Sequence, residues 1–140
     1  LLKIKIMASN DIQEYSQFYD FEEFKTNIEI WLIDHQQNFT RGEMYGLNQL
    51  IQLSSRVPGV CFEAMRTIVC CPDKGLGEPA FSLSTFKRVV YKCIRLGMLK
   101  VYETEDKDGA QGGNLYVFNP YPGWDAGTGS STHTISKVGQ

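Results

Sequence analysis

Histidine is scarce in this 140-residue chain, with only His35 and His133, and the four cysteines, Cys61, Cys70, Cys71 and Cys93, contain no C-x-x-C pair. The spacing of a structural zinc module is therefore missing, and neither a metal nor another cofactor is expected. The thiols read as reduced and mostly buried, the usual state in a cytoplasm, which is the expected location. No apolar run approaches the ~18 residues that cross a bilayer, so no membrane partner is expected. Catalytic signatures are also lacking: there is no G-x-S-x-G, Walker A, H-E-x-x-H or paired-carboxylate motif, and Gly75-x-Gly77 has neither a third glycine nor a preceding strand. Neither an enzyme nor a small-molecule receptor is expected, and His35, near the end of a helical stripe, reads as a structural histidine. An excess of one charge is missing as well. With 14 Lys+Arg against 16 Asp+Glu the net charge is −2, and the chain as a whole has no attraction for a polyanion.

What is present describes one soluble globular domain, with 42% hydrophobic and 21% charged residues. At this length a core forms without disulfide or metal staples. The opening LLKIKIM, with two lysines and no long apolar stretch, does not read as a secretory signal, and Met7-Ala8-Ser9 offers a second start with residues 1–6 upstream of it. Residues 1–20 are expected to be a partly ordered N-terminal extension. The stripe Phe24, Ile28, Trp31, Leu32 and His35, behind Asp20 as a cap, predicts a helix over 21–39. Met44, Leu47, Leu50, Ile51 and Ser54 share one face of a second helix over about 43–55, which Pro58-Gly59 ends. A third, nearly all-round apolar helix is predicted over about 60–71, followed by a Gly/Pro-rich loop at 72–79. Ser82 caps a helix running to about Leu96 and Gly97 stops it. Period-2 alternation in MLKVYET (98–104) and NLYVFN (114–119), across turn-forming residues 105–113, predicts a long-tipped hairpin. From residue 123 the chain is mostly Gly, Ser and Thr and reads as a flexible tail or linker, so the domain is placed at 21–122.

The order helix, helix, helix, turn, helix, strand, strand is that of an α+β winged helix-turn-helix domain of three to four helices and a C-terminal β-hairpin wing. The segments VPGVCFEAMRTIV, SLSTFKRVVYKCIRLGMLKVYETE and NLYVFNPY resemble helix-turn-helix domains of Firmicute plasmid, phage and chromosomal proteins, some replication-associated and some regulatory. The resemblance covers roughly residues 43–121. It implies DNA binding by the winged helix, in transcription regulation or in plasmid or phage DNA replication.

Charge distribution leads to the same expectation independently. Net charge is −4 over residues 1–39, zero over 40–79, +5 over 80–102 and −3 over 103–140. Lys87, Arg88, Lys92, Arg95 and Lys100 thus fall in and just after one helix with no acid among them. On a helical wheel Leu83, Phe86, Val90, Cys93, Ile94 and Gly97 occupy about 100° of arc, a core-facing stripe. The opposite arc carries Ser84, Thr85, Arg88, Lys92 and Arg95, with Tyr91 at its edge and Lys87 on the flank. Placed in a major groove, Arg88 with Thr85 and Ser84 would meet base edges, and Lys87, Lys92 and Arg95 would meet phosphates. The wing tip has one lysine, Lys107, among three acids and is the weaker candidate for backbone contact. The expected partners are double-stranded DNA and a second copy of the chain, the acidic first helix being unsuited to DNA and available to a homodimer. The competing class is a winged helix that binds a protein partner through the basic face or through aromatics outside the core, for which Tyr15, Phe18, Tyr19 and Trp124 are the candidates.

Overall fold

The computed structural model describes residues 2–5, 9–69, 81–105 and 111–124. Its helices begin where short polar side chains can take up free N–H groups. Asp20 accepts from the Glu23 N–H and opens α1 (Phe21–His35). Thr40 and Glu43 form a reciprocal capping box at the start of α2 (Arg41–Leu53), in which each side chain accepts the other's backbone N–H. Ser82 accepts from the Thr85 N–H at the start of α4 (Leu83–Leu96), and Gly97, at φ 85°, ends that helix in the left-handed conformation a C-terminal cap requires. Only Gly97 and Met98 separate the end of α4 from β3 (Leu99–Glu105).

The region 60–71 departs from expectation. Val60–Glu63 is a strand, β2, and among the described residues of this region the helix is Met65–Val69, the short α3. An apolar run of this length fits a buried strand as well as a buried helix, and the arbiter here is tertiary: β2 pairs antiparallel with β4 (Gln111–Phe118), Val60 beside Val117 and Glu63 beside Asn114. β4 also pairs antiparallel with β3, from Leu99 beside Phe118 to Thr104 beside Gly113, with an irregularity between Thr104 and Glu105. The antiparallel sheet β2-β4-β3 is extended by β1 (Leu2–Lys5), which runs parallel to β3. The architecture is α+β.

Both faces of the sheet are covered, which explains why Leu115, Tyr116, Val117 and Phe118 are all buried on the central strand. Tyr116 and Phe118 point with Cys61, Leu99 and Val101 into the main core, against Phe24 and Trp31 of α1, Leu47 and Leu50 of α2, and Phe86, Val89 and Cys93 of α4. Leu115 and Val117 join Val60 on the other face, beneath Ile12 and Tyr15 of a 3-10 helix at Ser9–Tyr15. Ile12, Tyr15 and Phe18 therefore pack with the rest of the domain. Of the aromatics expected outside the core, only Tyr19 is fully exposed. Phe18 is buried at 7% exposure, Tyr15 lies against Tyr102 with ring centroids 5.4 Å apart, and the Trp124 indole donates to Glu23 Oε2 at 2.6 Å. The turn expected over 105–113 is shorter, because β3 reaches Glu105 and β4 already begins at Gln111, and the expected tail begins at Gly123 with Trp124 still packed on the domain. The predicted loop at 72–79, residues 106–110 and the chain from 125 onward lie outside the described residues.

Beyond β4 the chain crosses α1. The Trp31 indole donates to the Asn119 carbonyl at 2.9 Å, the Tyr121 N–H donates to buried Asn27 at 2.7 Å, and the Tyr121 hydroxyl donates to Asp34 at 2.6 Å. Asn119 in turn donates to the Gly97 carbonyl at 2.8 Å and accepts from Gln17 at 2.6 Å. These bonds fasten the acidic helix to the end of the sheet and to the C-terminal cap of α4.

Gly59 and Gly97 separate two consequences of left-handed backbone. Gly59, at φ 78°, has no room for a Cβ, which would stand 2.7 Å from the Phe18 ring, whereas a Cβ on Gly97 meets nothing within 4 Å. Gly97→Ala should cost about 1 kcal/mol and Gly59→Ala about 3 kcal/mol, because the second adds displacement of a core aromatic to the conformational strain. Urea unfolding of the two variants checks this, and equal losses would contradict the packing of Phe18 on Gly59.

Candidate nucleic-acid interface

The outward face of α4 begins with hydroxyls. Ser82 Oγ accepts the Thr85 N–H, donates to Thr85 Oγ1 at 2.9 Å and lies 3.1 Å from Ser84 Oγ. Ser84, Lys87, Arg88, Tyr91 and Arg95 are exposed, and Thr85 and Lys92 are half-buried. The inward stripe is Phe86, Val89, Val90 and Cys93, rotated slightly from expectation, since Val89 is buried and Ile94 is 38% exposed. The Arg95 guanidinium lies over the Tyr91 ring at 5.7 Å. Lys107 lies outside the described residues.

The absence of acids along α4 is offset across the fold. Glu43, on the first turn of α2, has a side chain only 3% exposed and stands between two of the cations. Its Oε1 accepts from Lys92 Nζ at 2.7 Å and from the Thr40 N–H at 2.9 Å, and its Oε2 accepts from Arg88 Nε at 3.3 Å. Lys92 also donates to the Asn38 carbonyl at 2.8 Å and sits over the Phe39 ring. Burial pushes the Glu43 carboxyl up. The Lys92 hydrogen bond, the Thr40 N–H, the Lys92 charge and the Arg88 bond together outweigh burial and hold it below its ordinary value. Two of the five local positive charges are thus engaged, and the cluster of Glu43, Arg88 and Lys92 retains one net positive charge. Lys92 has a structural occupation that its place on the helical wheel did not suggest. Arg88 is engaged on one side only: its side chain is 58% exposed, and Nη2 donates to Thr85 Oγ1 at 3.1 Å.

Sequence reasoning passed over two residues here. Glu43 carries a local signal, the T-x-x-E of Thr40 to Glu43, which announces a helix start but not an ion pair to another helix. Arg66, on α3, carries none. It faces a groove of about 440 Å³ whose lining also includes Met65, Leu83, Lys87 and Asn114, with no acid among the lining residues. Neither Arg66 nor Lys87 has an ion pair among the described residues. The groove continues the positive face of α4 toward α3 and β4.

Other reactive groups are placed where they support packing. Burial pushes the Cys61 and Cys93 thiols up to about 12, so both stay protonated at neutral pH and act as small core groups. Cys70 and Cys71 lie outside the described residues. His35 stacks on Trp31 with ring centroids 5.8 Å apart and contacts Asp34 at 3.2 Å. Among the described residues no three His, Cys, Asp or Glu side chains are grouped so as to hold a metal, and no helix is long and apolar enough to cross a membrane. Comparison with protein-family models, with curated proteins and with solved structures found no match to this chain.

Glu43 has a folded-state pKa below its ordinary value of 4.5, so its contribution to stability is present above that value and is lost as pH falls through the lower, folded one. Glu43→Ala, which leaves Lys92 and the Thr40 N–H without their acceptor, should cost about 3 kcal/mol at neutral pH. Urea unfolding of wild type and Glu43→Gln across the acid range should show a stability gap that narrows below pH 4.5. A gap independent of pH would contradict an ionised carboxylate at this position.

Proposed function

We propose that the protein is a winged helix-turn-helix DNA-binding protein that places α4 in the major groove of duplex DNA. The observation that carries this reading is the outward face of α4, where Ser84, Lys87, Arg88, Tyr91 and Arg95 are exposed together on a helix capped at both ends and joined through Gly97 to the β3–β4 hairpin. The order α2, β2, α3, α4, β3, β4 is compatible with the winged-helix topology, α3 and α4 serving as the helix pair and the hairpin as the wing. Arg88, with Thr85 and Ser84, is assigned to base edges, and Lys87, Arg95 and Arg66 to phosphates. Lys92 is assigned to holding Glu43 rather than to DNA, because two of its three N–H groups already have acceptors at 2.7 and 2.8 Å. The role served is transcription regulation or plasmid or phage replication, in the cytoplasm.

Duplex binding measured by fluorescence anisotropy should weaken linearly in log affinity against log salt. Lys87→Ala and Arg95→Ala should each lower the slope by about 1 and weaken all duplexes alike, whereas Arg88→Ala should cost about 1–3 kcal/mol on the preferred sequence and little elsewhere. A wild-type protein with no salt-dependent duplex affinity defeats the reading. It would favour instead a protein-binding winged helix, for which Tyr91, 61% exposed beneath Arg95, would be the natural anchor.

A homodimer is proposed through α1, whose outer face combines Glu22, Glu29 and Asp34 with the exposed Phe21 and Ile33. Acidic groups there would be repelled by phosphates, and an isologous contact would bring two recognition helices to two half-sites. Sedimentation equilibrium should give a dimer that Ile33→Glu dissociates. A monomer at tens of micromolar protein, with and without DNA, excludes it.

A further inference from the structure

We propose that Glu43 sets a preference for guanine without touching the base, by holding the Arg88 guanidinium so that its remaining N–H groups form the donor pair that guanine O6 and N7 accept. The inference rests on the DNA-binding reading and concerns how one base is chosen within it.

Glu43 is a fixed anchor. Its two carboxylate oxygens accept from Thr40, Lys92 and Arg88 on two helices, and its side chain is 3% exposed. That burial excludes the carboxylate itself from a base edge, where it would otherwise accept from cytosine. Arg88 is gripped at two points, Nε by Glu43 at 3.3 Å and Nη2 by Thr85 Oγ1 at 3.1 Å. A guanidinium has five N–H donors in one plane, so three remain, both on Nη1 and one on Nη2, on a side chain that is 58% exposed. Fixing that plane from two sides removes beforehand much of the rotamer freedom that a free arginine loses on binding.

The chemistry of the free edge determines the base. Guanine presents two acceptors to the major groove, O6 and N7. Adenine presents an acceptor beside an amino donor, which opposes a rigid pair of donors. An unheld arginine can turn aside and donate a single hydrogen bond to N7 of either purine, whereas one held by Glu43 and Thr85 cannot do so without breaking a bond inside the protein. Discrimination therefore depends on the grip. One carboxylate shared by two cations also leaves the cluster positive, so the anchor adds no net repulsion toward DNA.

The test uses the full chain and a duplex selected by wild type from a random pool, with each guanine replaced in turn by 7-deazaguanine, which lacks the N7 acceptor. At one guanine the replacement should lower wild-type affinity about 10-fold, and Arg88→Ala should be insensitive to it. Glu43→Gln should bind with the loss at that guanine reduced to about 3-fold or less, since the neutral amide no longer draws Arg88 to it. Thr85→Val, which exchanges a hydroxyl for a methyl, also loses any base contact of its own, but its 7-deazaguanine loss relative to its own affinity for the parent duplex should fall in the same direction and gives the answer if Glu43→Gln does not fold. Lys87→Ala should weaken every duplex while keeping the 10-fold sensitivity, which separates a positioning role from a general loss of affinity. Full sensitivity in both Glu43→Gln and Thr85→Val overturns the inference and leaves the DNA reading standing, as does a wild type with no guanine whose replacement matters. A wild type that binds no duplex overturns the DNA reading itself.

Discussion

The buried carboxylate of Glu43 is the constraint on which the working face depends. It is the acceptor that closes the first turn of α2 and the acceptor that α4 supplies with two cations, so the same group fixes the start of one helix and the rotation of another. A lone carboxylate at 3% exposure would be strongly disfavoured, and three donors around it make the site tenable. The result is a polar clamp at the edge of an apolar contact. Leu47 and Leu50 share one apolar core with Phe86 and Val90, where the attraction is non-directional. The clamp is directional.

From α4 the constraint passes to the sheet. Gly97 ends α4 in the left-handed conformation, and the Met98 N–H donates to the Cys93 carbonyl at 2.9 Å, so β3 leaves at an angle fixed by the helix end. Asn119 then closes the other end of the hairpin onto that corner through the Gly97 carbonyl, and the residues after it cross α1. The acidic helix is held on the far side of this corner by hydrogen bonds and by Trp31 between His35 and Tyr121. The acids of α1 and the cations of α4 therefore belong to different helices of one packed body, and the near-zero sum over the chain conceals that uneven distribution.

Legibility followed the range of the forces. The limits of α4, its serine cap, its terminal glycine and the strand after it were all readable, because each depends on residues within a few positions. The capping box at Thr40 was equally local. The strand at Val60–Glu63 was not readable, since four residues with apolar neighbours have no period long enough to decide, and the deciding hydrogen bonds come from β4, more than fifty positions away. Phe18 misled for a related reason: its cover is the bare backbone of Gly59, which nothing near Phe18 in the chain announces.

The same division holds at the candidate site. The amino-acid sequence by itself determined which side chains lie along the outer arc of α4 and that four positive charges cluster on that helix, because helical geometry converts spacing into direction without reference to the remainder of the chain. Only the tertiary structure decided which of those charges is free. Glu43 lies 45 positions from Arg88 and 49 from Lys92, and it engages them because α2 and α4 pack side by side. Ion pairs and hydrogen bonds act over a few ångströms of space, whatever the distance along the chain, so the pairing that separates Lys92 from Lys87 exists only once the helices have met.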